Sequence, residues 1–481
     1  MTTKSPEKQK HTSFSHINLR SFITVIAVLL IALALCGGLS YAIPQGSFER
    51  DEQGVIIQGT YTEGKVEGLA LWRIVTAPVR VFASEDALTV IMISAFLLIM
   101  SGIFNLLEQT GGIKVFIGRI MQRLQDKGGP VICLTVLLMM LFGSFFGMFE
   151  ELVTLLPIII VFMLSIHMDT MMGLGACLLA ACFGFSAAIT NPFSVGLAAQ
   201  VAGVNPSSGV WLRIVFFALT YVTLCVFLML HLRRISRDPA SSPSYEVDLI
   251  KRRSLDEQIA QPTPNEARVF TVYSIFLSIQ FVILILIASV RAIADYAIPI
   301  LAASFLLFGT ISGLIVCRRG REVASHILTG AASMLPAVLM IALASSVKLV
   351  MTESCIIDTI MHYVIELLDG KNKFLAIVLI YLLILFFQFF IGSASAKIIL
   401  IMPLIMPIAT SLGLSPSIVI LAYCMADGFT DVILPTNPVL LIGLSMANIS
   451  YGTWVKWTWK LQLFMLTLTM LVLLFAVGIN Y

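Results

Sequence analysis

Four carboxylates stand in two pairs inside strongly apolar stretches of this 481-residue chain. Glu150 and Glu151 are adjacent, and Asp427 and Asp431 are four residues apart, so a helix would carry both aspartates on one face. A charge at the centre of a membrane helix costs about 2.5–3.5 kcal/mol, so such residues must face water, a partner or an ion. The acids are candidates for binding a proton, Na⁺ or a cationic solute. The alternatives are solvation at the membrane surface for the glutamates and capping of a helix end for the aspartates.

A tripeptide recurs in two further apolar stretches. Thr190-Asn191-Pro192 is repeated 246 residues later as Thr436-Asn437-Pro438. Asn before a helix and Pro at its first position are strongly preferred, so each copy predicts a helix that breaks and restarts, the first break beginning near Ser186. Open backbone is tolerated within a membrane only where it lines a cavity or is buried in protein. Helix N-termini attract anions and unwound carbonyls suit cations, so each break is a candidate site, with a simple proline kink as the alternative.

Two apolar segments are interrupted in the middle by small and polar residues. The segments are 129–167 and 374–412, and each is interpreted as a re-entrant hairpin, with two full crossings as the alternative. Lys397 lies in the second tip at the same 246-residue offset from Glu151. These two charges either compensate one another or bind opposite ends of a zwitterionic solute, unless the lysine reaches the membrane surface. The candidate binding residues of the tips are Gly147, Glu150, Glu151, Ser393, Ser395 and Lys397.

Composition shows that these sites must lie in a multi-span membrane protein. The chain is 58% hydrophobic and only 12% charged, and many apolar runs reach the ~20 residues that cross a bilayer. The predicted spans are Phe22–Ile43, Ala87–Leu107, Leu212–His231, Phe270–Val290, Ile298–Val316, Leu328–Val350 and Leu461–Ile479. The eight cysteines show no CxxC spacing, and no hydrolase, nucleotide-binding or metalloprotease motif is present. We therefore expect no enzyme activity, no nucleic-acid partner and no cofactor or metal beyond Na⁺ or H⁺.

The two halves differ by one span, which predicts that they are inverted. The second half has the span Ile298–Val316 where the first half has the acidic stretch Gly46–Ala70. Basic clusters at Lys114–Lys127 and Arg318–Arg321 then both lie on the cytoplasmic side, as does the N-terminus, and the C-terminus lies outside. The predicted organisation is a cytoplasmic tail over residues 1–20, a first membrane repeat over 21–232 with an external loop over 46–85, a flexible cytoplasmic linker over 233–268, and a second membrane repeat over 269–481.

Three motifs carry a resemblance to a known family: Gly147-Met148-Phe149-Glu150-Glu151, Thr190-Asn191-Pro192-Phe193-Ser194-Val195-Gly196 and Asp427-Gly428-Phe429-Thr430. In these motifs the chain resembles the YfcC-like, basic amino acid antiporter branch of the anaerobic C4-dicarboxylate carrier family. The resemblance covers nearly the whole chain. It implies the all-α ion-transporter superfamily fold, in which a homodimer of scaffold domains supports transport domains that move as elevators in the bacterial inner membrane. The chain departs from the pattern at Asn437-Pro438, where Ser-Gly is expected, and at Lys397, where a neutral residue is expected.

The resulting hypothesis is a secondary transporter of a small polar solute, most simply an exchanger of basic amino acids such as arginine and ornithine. A Na⁺- or H⁺-coupled C4-dicarboxylate transporter is the alternative, and a channel and an intramembrane hydrolase are the less favoured classes. The residues expected to bind substrate are Gly147, Glu150, Glu151, Ser186, Thr190, Asn191, Ser393, Ser395, Lys397, Thr436 and Asn437. The residues expected to couple ions are Asp427, Thr430, Asp431, Asn191 and Asn437.

Overall fold

The computed structural model describes residues 19–50, 57, 59–85, 87–113, 115, 128–260, 265–289, 296–368 and 370–481. Most of the predicted N-terminal tail and of the basic cluster Lys114–Lys127 lies outside these residues. The helices of the first half are α1 (Leu19–Leu39), α2 (Leu71–Arg80), α3 (Ala87–Gln109), α4 (Gly128–Phe146), α5 (Glu151–Ser165), α6 (Thr170–Ser186), α7 (Pro192–Val201) and α8 (Val210–Arg237), and α9 (Tyr245–Ala260) follows them. The helices of the second half are α10 (Glu266–Ser289), α11 (Ala297–Cys317), α12 (Gly320–Ser333), α13 (Leu335–Glu353), α14 (Ile357–Leu368), α15 (Lys373–Phe390), α16 (Ala394–Ser411), α17 (Pro416–Ala426), α18 (Pro438–Ala447) and α19 (Tyr451–Gly478).

The chain is a multi-pass helical membrane protein. Among the described residues, nine helices are long and apolar enough to cross a bilayer. Helices form at all the spans predicted from the sequence, but the predicted span Leu328–Val350 is divided into α12 and α13 at Met334. Pro336 follows that division, and because Pro lacks a backbone N–H it favours a new helix start over a continuous helix.

One group of helices is held together by small residues. Helix α3 packs against α11 and α12, and α13 packs against α1 and α2. A Cβ on Gly102 would lie 2.8 Å from the Ile327 carbonyl oxygen, so α3 and α12 approach backbone to backbone. Ser101 Oγ donates to the Gly330 carbonyl at 2.7 Å across the same contact. Such contacts hold helices together inside a bilayer, where there is no hydrophobic driving force for helix association.

A second group of helices contains both predicted hairpins and both predicted breaks. Helix α4 packs against α6, and α15 packs against α17. Gly143 and Gly184 allow α4 and α6 to meet, since a Cβ on either residue would lie 2.3 Å from a carbonyl oxygen of the other helix. This close crossing places the end of α4, and the hairpin tip that follows it, beside the end of α6.

The segment predicted as an external loop contains secondary structure. Strand β1 (Gly46–Ser47) pairs antiparallel with β2 (Thr62–Glu63), and α2 follows. Asp358 at the start of α14 accepts hydrogen bonds from the Phe48 backbone at 3.1 Å and from Arg50 Nη2 at 2.9 Å. The segment is therefore fastened to the second half of the chain.

The prediction of a flexible linker between the halves is wrong. Its helix α9 docks through Asp248, which accepts hydrogen bonds from the Thr170 backbone at 3.2 Å and from Ser244 Oγ at 2.6 Å. Lys251 Nζ donates to Thr170 Oγ1 at 3.1 Å and to the Ala447 carbonyl at 2.7 Å. Burial raises the pKa of Asp248, and burial lowers the pKa of Lys251 to about 8 although Asp248 opposes that shift. The helix thus joins the start of α6 to the end of α18, because its polar residues find buried partners that composition does not reveal.

Candidate functional site

Both predicted helix breaks form as expected. Helix α6 ends at Ser186, and Asn191 Oδ1 caps α7 by accepting from the Phe193 backbone at 2.9 Å and the Ser194 backbone at 3.3 Å. Helix α17 ends at Ala426, and α18 is capped in the same way by Asn437 Oδ1, with donor distances of 2.9 and 3.4 Å. A proline follows each asparagine. The local chemistry of Asn-Pro therefore decides where each second helix starts.

These caps change which groups are available to an anion. The first backbone N–H groups of α7 and α18 donate hydrogen bonds to the asparagine side chains. They are therefore not available to a substrate carboxylate, although the sequence predicts that these helix N-termini attract an anion. Two other donors lie at the first break, and both are buried. Within the part of the chain that the structure describes, neither Asn191 Nδ2 nor Ser194 Oγ has a hydrogen-bond partner. An orphaned buried donor is costly, which favours its use by a ligand.

The first hairpin tip is bonded directly to the first break. The Ser144 carbonyl accepts hydrogen bonds from the backbones of Ile189 and Asn191, both at 3.1 Å, and Ser144 Oγ donates to the Ala187 carbonyl at 2.6 Å. Gly147 turns the tip with a left-handed φ of 70°, and a Cβ there would lie 2.3 Å from Asn191 Oδ1. The hairpin thus supplies hydrogen-bond partners for the open backbone of the break. The sequence contains no signal for this role of Ser144.

A buried arginine also binds the first break. Arg213 on α8 is 3% exposed, and its Nη1 donates to the Ile189 carbonyl at 2.8 Å. Its Nη2 donates to the Ser208 carbonyl at 3.1 Å. The surroundings of this break look neutral in the sequence, yet a cation occupies its carbonyl end. Arg213 lies inside the predicted span Leu212–His231. A charged residue within a membrane span is the one sequence feature that points to a role for this arginine.

The two breaks lie against one another. Cys182 Sγ donates to the Gly428 carbonyl at 2.8 Å, and the rings of Phe183 and Phe429 meet edge to face with centroids 6.3 Å apart. Gly428 has a φ of 96°, and a Cβ there would lie 2.7 Å from the Ser186 backbone nitrogen. The breaks therefore form one central region of the protein.

A buried ion pair and an acid–amide pair occupy the second break. Lys397 Nζ lies 2.9 Å from Asp427 Oδ1, and these side chains are 0% and 1% exposed. Gln388 Nε2 on α15 donates to Asp431 Oδ1. Because α17 ends at Ala426, the two aspartates lie in the irregular segment after it and not on one helix face, so that prediction is wrong. Two buried oxygens of the cluster, Asp427 Oδ2 and Gln388 Oε1, have no hydrogen-bond partner among the described residues.

The hypothesis that Lys397 and Glu151 compensate one another is also wrong, since Lys397 pairs with Asp427, and the alternative that they bind opposite ends of a zwitterionic solute stays a prediction. Glu150 and Glu151 are half-buried, and within the described part of the chain neither makes an ion pair. Helix α5, which begins with Glu151, packs along α18, while α16 packs along α7. Each hairpin thus contacts the restarted helix of the opposite half.

The other predicted site residues surround this region with weaker contacts. Thr190 is exposed and donates to the Phe145 carbonyl at 3.3 Å, and the buried Thr430 donates to the Ala426 carbonyl at 3.4 Å. Ser393 is exposed at the second tip and caps α16. Ser395 and Thr436 are half-buried, and Ser186 Oγ donates to the Met425 carbonyl at 3.4 Å.

Comparison with known proteins decides the family. The family model described as C4-dicarboxylate anaerobic carrier (DcuC) matches residues 19–478. The chain belongs to the C4-dicarboxylate anaerobic carrier family. The resemblance seen in the three motifs is therefore confirmed, and the chain is a member of a membrane transporter family.

Relatives within this carrier family are distant. The chain is 24% identical over 473 residues to the "Putative basic amino acid antiporter YfcC" of Escherichia coli (strain K12), which covers 90% of this chain and 92% of that protein. It is 26% identical over 374 residues to an uncharacterised protein of Haemophilus influenzae, which covers 77% of this chain and 72% of the relative.

Two solved transporters are similar to this carrier, with low sequence identities and low TM-scores. The Alcanivorax borkumensis YdaH transporter is 18% identical with a TM-score of 0.43, covering 96% of this chain and 99% of the other. Neisseria gonorrhoeae MtrF is 17% identical with a TM-score of 0.39, covering 94% and 93%.

Proposed function

We propose that this carrier is a secondary active transporter that exchanges basic amino acids of the arginine and ornithine type across the cytoplasmic membrane. The observation that supports this substrate class is the state of the charges around the two breaks. The cations there are already occupied, because Arg213 donates to backbone carbonyls and Lys397 is paired with Asp427. The acids Glu150 and Glu151 have no such compensation within the described residues. A cationic solute would find carboxylates that have no counter-ion among the described residues, whereas an anionic solute would find the cations already paired.

The same region also suits the carboxylate of an amino acid. Asn191 Nδ2 is a buried donor for which the described residues supply no partner, and Gly147 at the first tip packs on the same asparagine. In this proposal the side-chain cation meets Glu150 or Glu151, and the carboxylate accepts hydrogen bonds from Asn191 and Ser194. The polar groups are held by a capped helix start and a hairpin, so few of them must reorganise when the substrate binds.

We also propose that the two halves are inverted repeats and that the site is moved by an elevator motion within a homodimer. The contacts Cys182–Gly428 and Phe183–Phe429 each join residues 246 positions apart, the offset of the repeated Thr-Asn-Pro motif. A residue that touches its own repeat mate is expected at a local two-fold axis. Inverted repeats place such an axis in the membrane plane, with the binding site beside it. In this proposal the N-terminus lies inside and the C-terminus outside, the orientation that the basic-residue pattern of the sequence favours.

A Na⁺- or H⁺-coupled C4-dicarboxylate transporter is the second candidate. The description of the family favours it, and the acids would then hold Na⁺ or protons while Lys397 attracts the anion. This alternative requires Lys397 to leave Asp427 when substrate binds, because the ammonium already has a carboxylate partner.

Uptake into proteoliposomes distinguishes these functions. A panel of labelled arginine, ornithine, neutral amino acids and C4-dicarboxylates is offered under imposed Na⁺ gradients, proton gradients and counter-substrate gradients. We expect arginine or ornithine uptake driven by internal basic amino acid, and we expect Glu151→Gln to reduce it. Glu85→Gln serves as the matched control, because Glu85 is an exposed acid that does not belong to the candidate site. Dicarboxylate uptake driven by Na⁺ or protons would replace the proposal with the alternative.

A further inference from the structure

Lys397 is completely enclosed by the protein. Its side chain is 0% exposed, and its ammonium hydrogen-bonds Asp427 Oδ1 at 2.9 Å. Taking an ammonium and a carboxylate out of water costs several kcal/mol for each ion, which the pair regains only with good geometry. A pair of apolar residues would be at least as stable there. Packing and stability alone therefore do not explain why a charged residue occupies this position.

The two charges stand at helix ends that disfavour them. Lys397 is in the first turn of α16, which Ser393 caps, and a helix N-terminus disfavours a cation. Asp427 is the residue directly after α17, and a helix C-terminus disfavours an anion. The lysine side chain crosses from one helix to the other, so its ammonium lies at the C-terminal end of α17. That end of a broken helix is where a free cation would be attracted.

The cluster at the second break contains oxygens that suit a small hard cation. Asp427 Oδ2 and Gln388 Oε1 are buried, and neither has a hydrogen-bond partner among the residues that the structure describes. Asp431 Oδ1 accepts a hydrogen bond from the Gln388 amide nitrogen, so a second carboxylate belongs to the same cluster. Transporters with broken helices coordinate Na⁺ at unwound backbone carbonyls and at the C-terminal ends of half-helices, and carboxylate and amide oxygens are ligands that hard cations prefer. The equivalent positions of the first half hold Glu151 and Ala181, so only the second half has this arrangement.

We propose that the Lys397 ammonium is a built-in cation that occupies the Na⁺ position of the second break, so that the protein needs no Na⁺ there. This inference rests on the proposed transport function and specifies how it is coupled. With the position filled covalently, the cation cannot dissociate, and Na⁺ does not contribute to binding at Asp427. Removal of the ammonium with the carboxylate left in place should create a Na⁺ site where none exists in the native chain.

Thermal unfolding of the purified full-length protein in detergent tests the proposal without any knowledge of the substrate. The midpoint is measured in sodium chloride and in choline chloride of equal concentration, at mildly acidic and mildly alkaline pH. The native protein should give the same midpoint in both salts. Lys397→Met should be stabilised by Na⁺ by on the order of a few degrees, with a saturating dose dependence, because only its folded state holds the vacated site.

Two further variants make the result decisive. The double variant Lys397→Met with Asp427→Asn should fold without Na⁺ and lose the Na⁺ response, because the anionic ligand is gone. Lys456→Met removes an exposed lysine of α19 and should behave as the native protein. If Lys397→Met cannot be purified in sodium chloride while the double variant can, Na⁺ does not replace the ammonium and the proposal is wrong.

Other outcomes also contradict the proposal. A native protein that Na⁺ stabilises already has an open site, and a Lys397→Met protein indifferent to Na⁺ at both pH values has none. These results are independent of the substrate panel. Failure of arginine exchange would overturn the proposed function and leave the Na⁺ response as measured.

Discussion

Docking of helix α9 should strengthen as the pH rises from 7 to 9. In the docked helix burial lowers the pKa of Lys251 to about 8, against 10.5 for a lysine in solvent. The undocked helix therefore binds the proton more tightly, so docking is weakest below pH 8 and gains strength as the pH rises from 8 towards 10.5. With these two values the docking constant increases about tenfold between pH 7 and pH 9, or ~1.4 kcal/mol.

Hydrogen exchange measured by mass spectrometry can test this prediction. The exchange rate of the backbone over residues 245–260 is compared in the native protein and in Lys251→Met at the same pH, so the intrinsic pH dependence of exchange cancels. The ratio of the variant rate to the native rate should rise about tenfold from pH 7 to pH 9, because only the native helix carries the titrating lysine. Asp248 is present in both proteins, so its titration changes both exchange rates and largely cancels in their ratio.

A ratio that stays constant or falls with pH would refute the assignment of Lys251 as a buried, readily deprotonated group. Asp248→Asn is the second variant, because it removes the carboxylate that the Thr170 backbone and Ser244 bind. It should raise exchange over the same residues at both pH values.

Three further predictions concern the site itself. Glu151→Gln should lower basic amino acid uptake at least tenfold relative to Glu85→Gln if it loses one charge-assisted contact worth about 1.5–3 kcal/mol; equal uptake by the two variants would exclude Glu151 as a substrate ligand. Gly147→Ala should cost about 1–3 kcal/mol in unfolding free energy, because its φ is 70° and the added Cβ would meet Asn191 Oδ1 at 2.3 Å; an unchanged unfolding midpoint would contradict this geometry. Asn437→Ala should lose the cap of α18 and about 0.5–2 kcal/mol, whereas Asn437→Ser should retain most of it, as thermal unfolding can show.

Features that depend on a few neighbouring residues could be predicted from the sequence. Asn191 and Asn437 followed by proline are sufficient for a helix start, and both caps form as predicted. The helices of the predicted spans follow from long apolar runs, which have no other stable state in a bilayer. The hypotheses of inverted halves and of re-entrant hairpins stay predictions.

Features that depend on tertiary contact could not be predicted. Lys397 and Asp427 are 30 positions apart, and the symmetry of the repeats suggested Glu151 as the partner instead. Arg213 and Ser144 bind the first break from other helices, and only the charge of Arg213 within a span signals its role. The linker composition predicted flexibility because Ser and Pro are frequent there, yet buried partners for Lys251 order it.

Counterflow in proteoliposomes measures whether this protein exchanges basic amino acids when no ion gradient is present. Vesicles that contain the native protein are loaded with unlabelled arginine or ornithine, placed in Na⁺-free buffer with a protonophore, and given a trace of labelled arginine outside. We expect a transient accumulation of label above equilibrium that is absent from empty vesicles, slower in Glu151→Gln and unaffected by added Na⁺. Absence of accumulation with basic amino acids, together with accumulation of a C4-dicarboxylate that requires Na⁺, would contradict it.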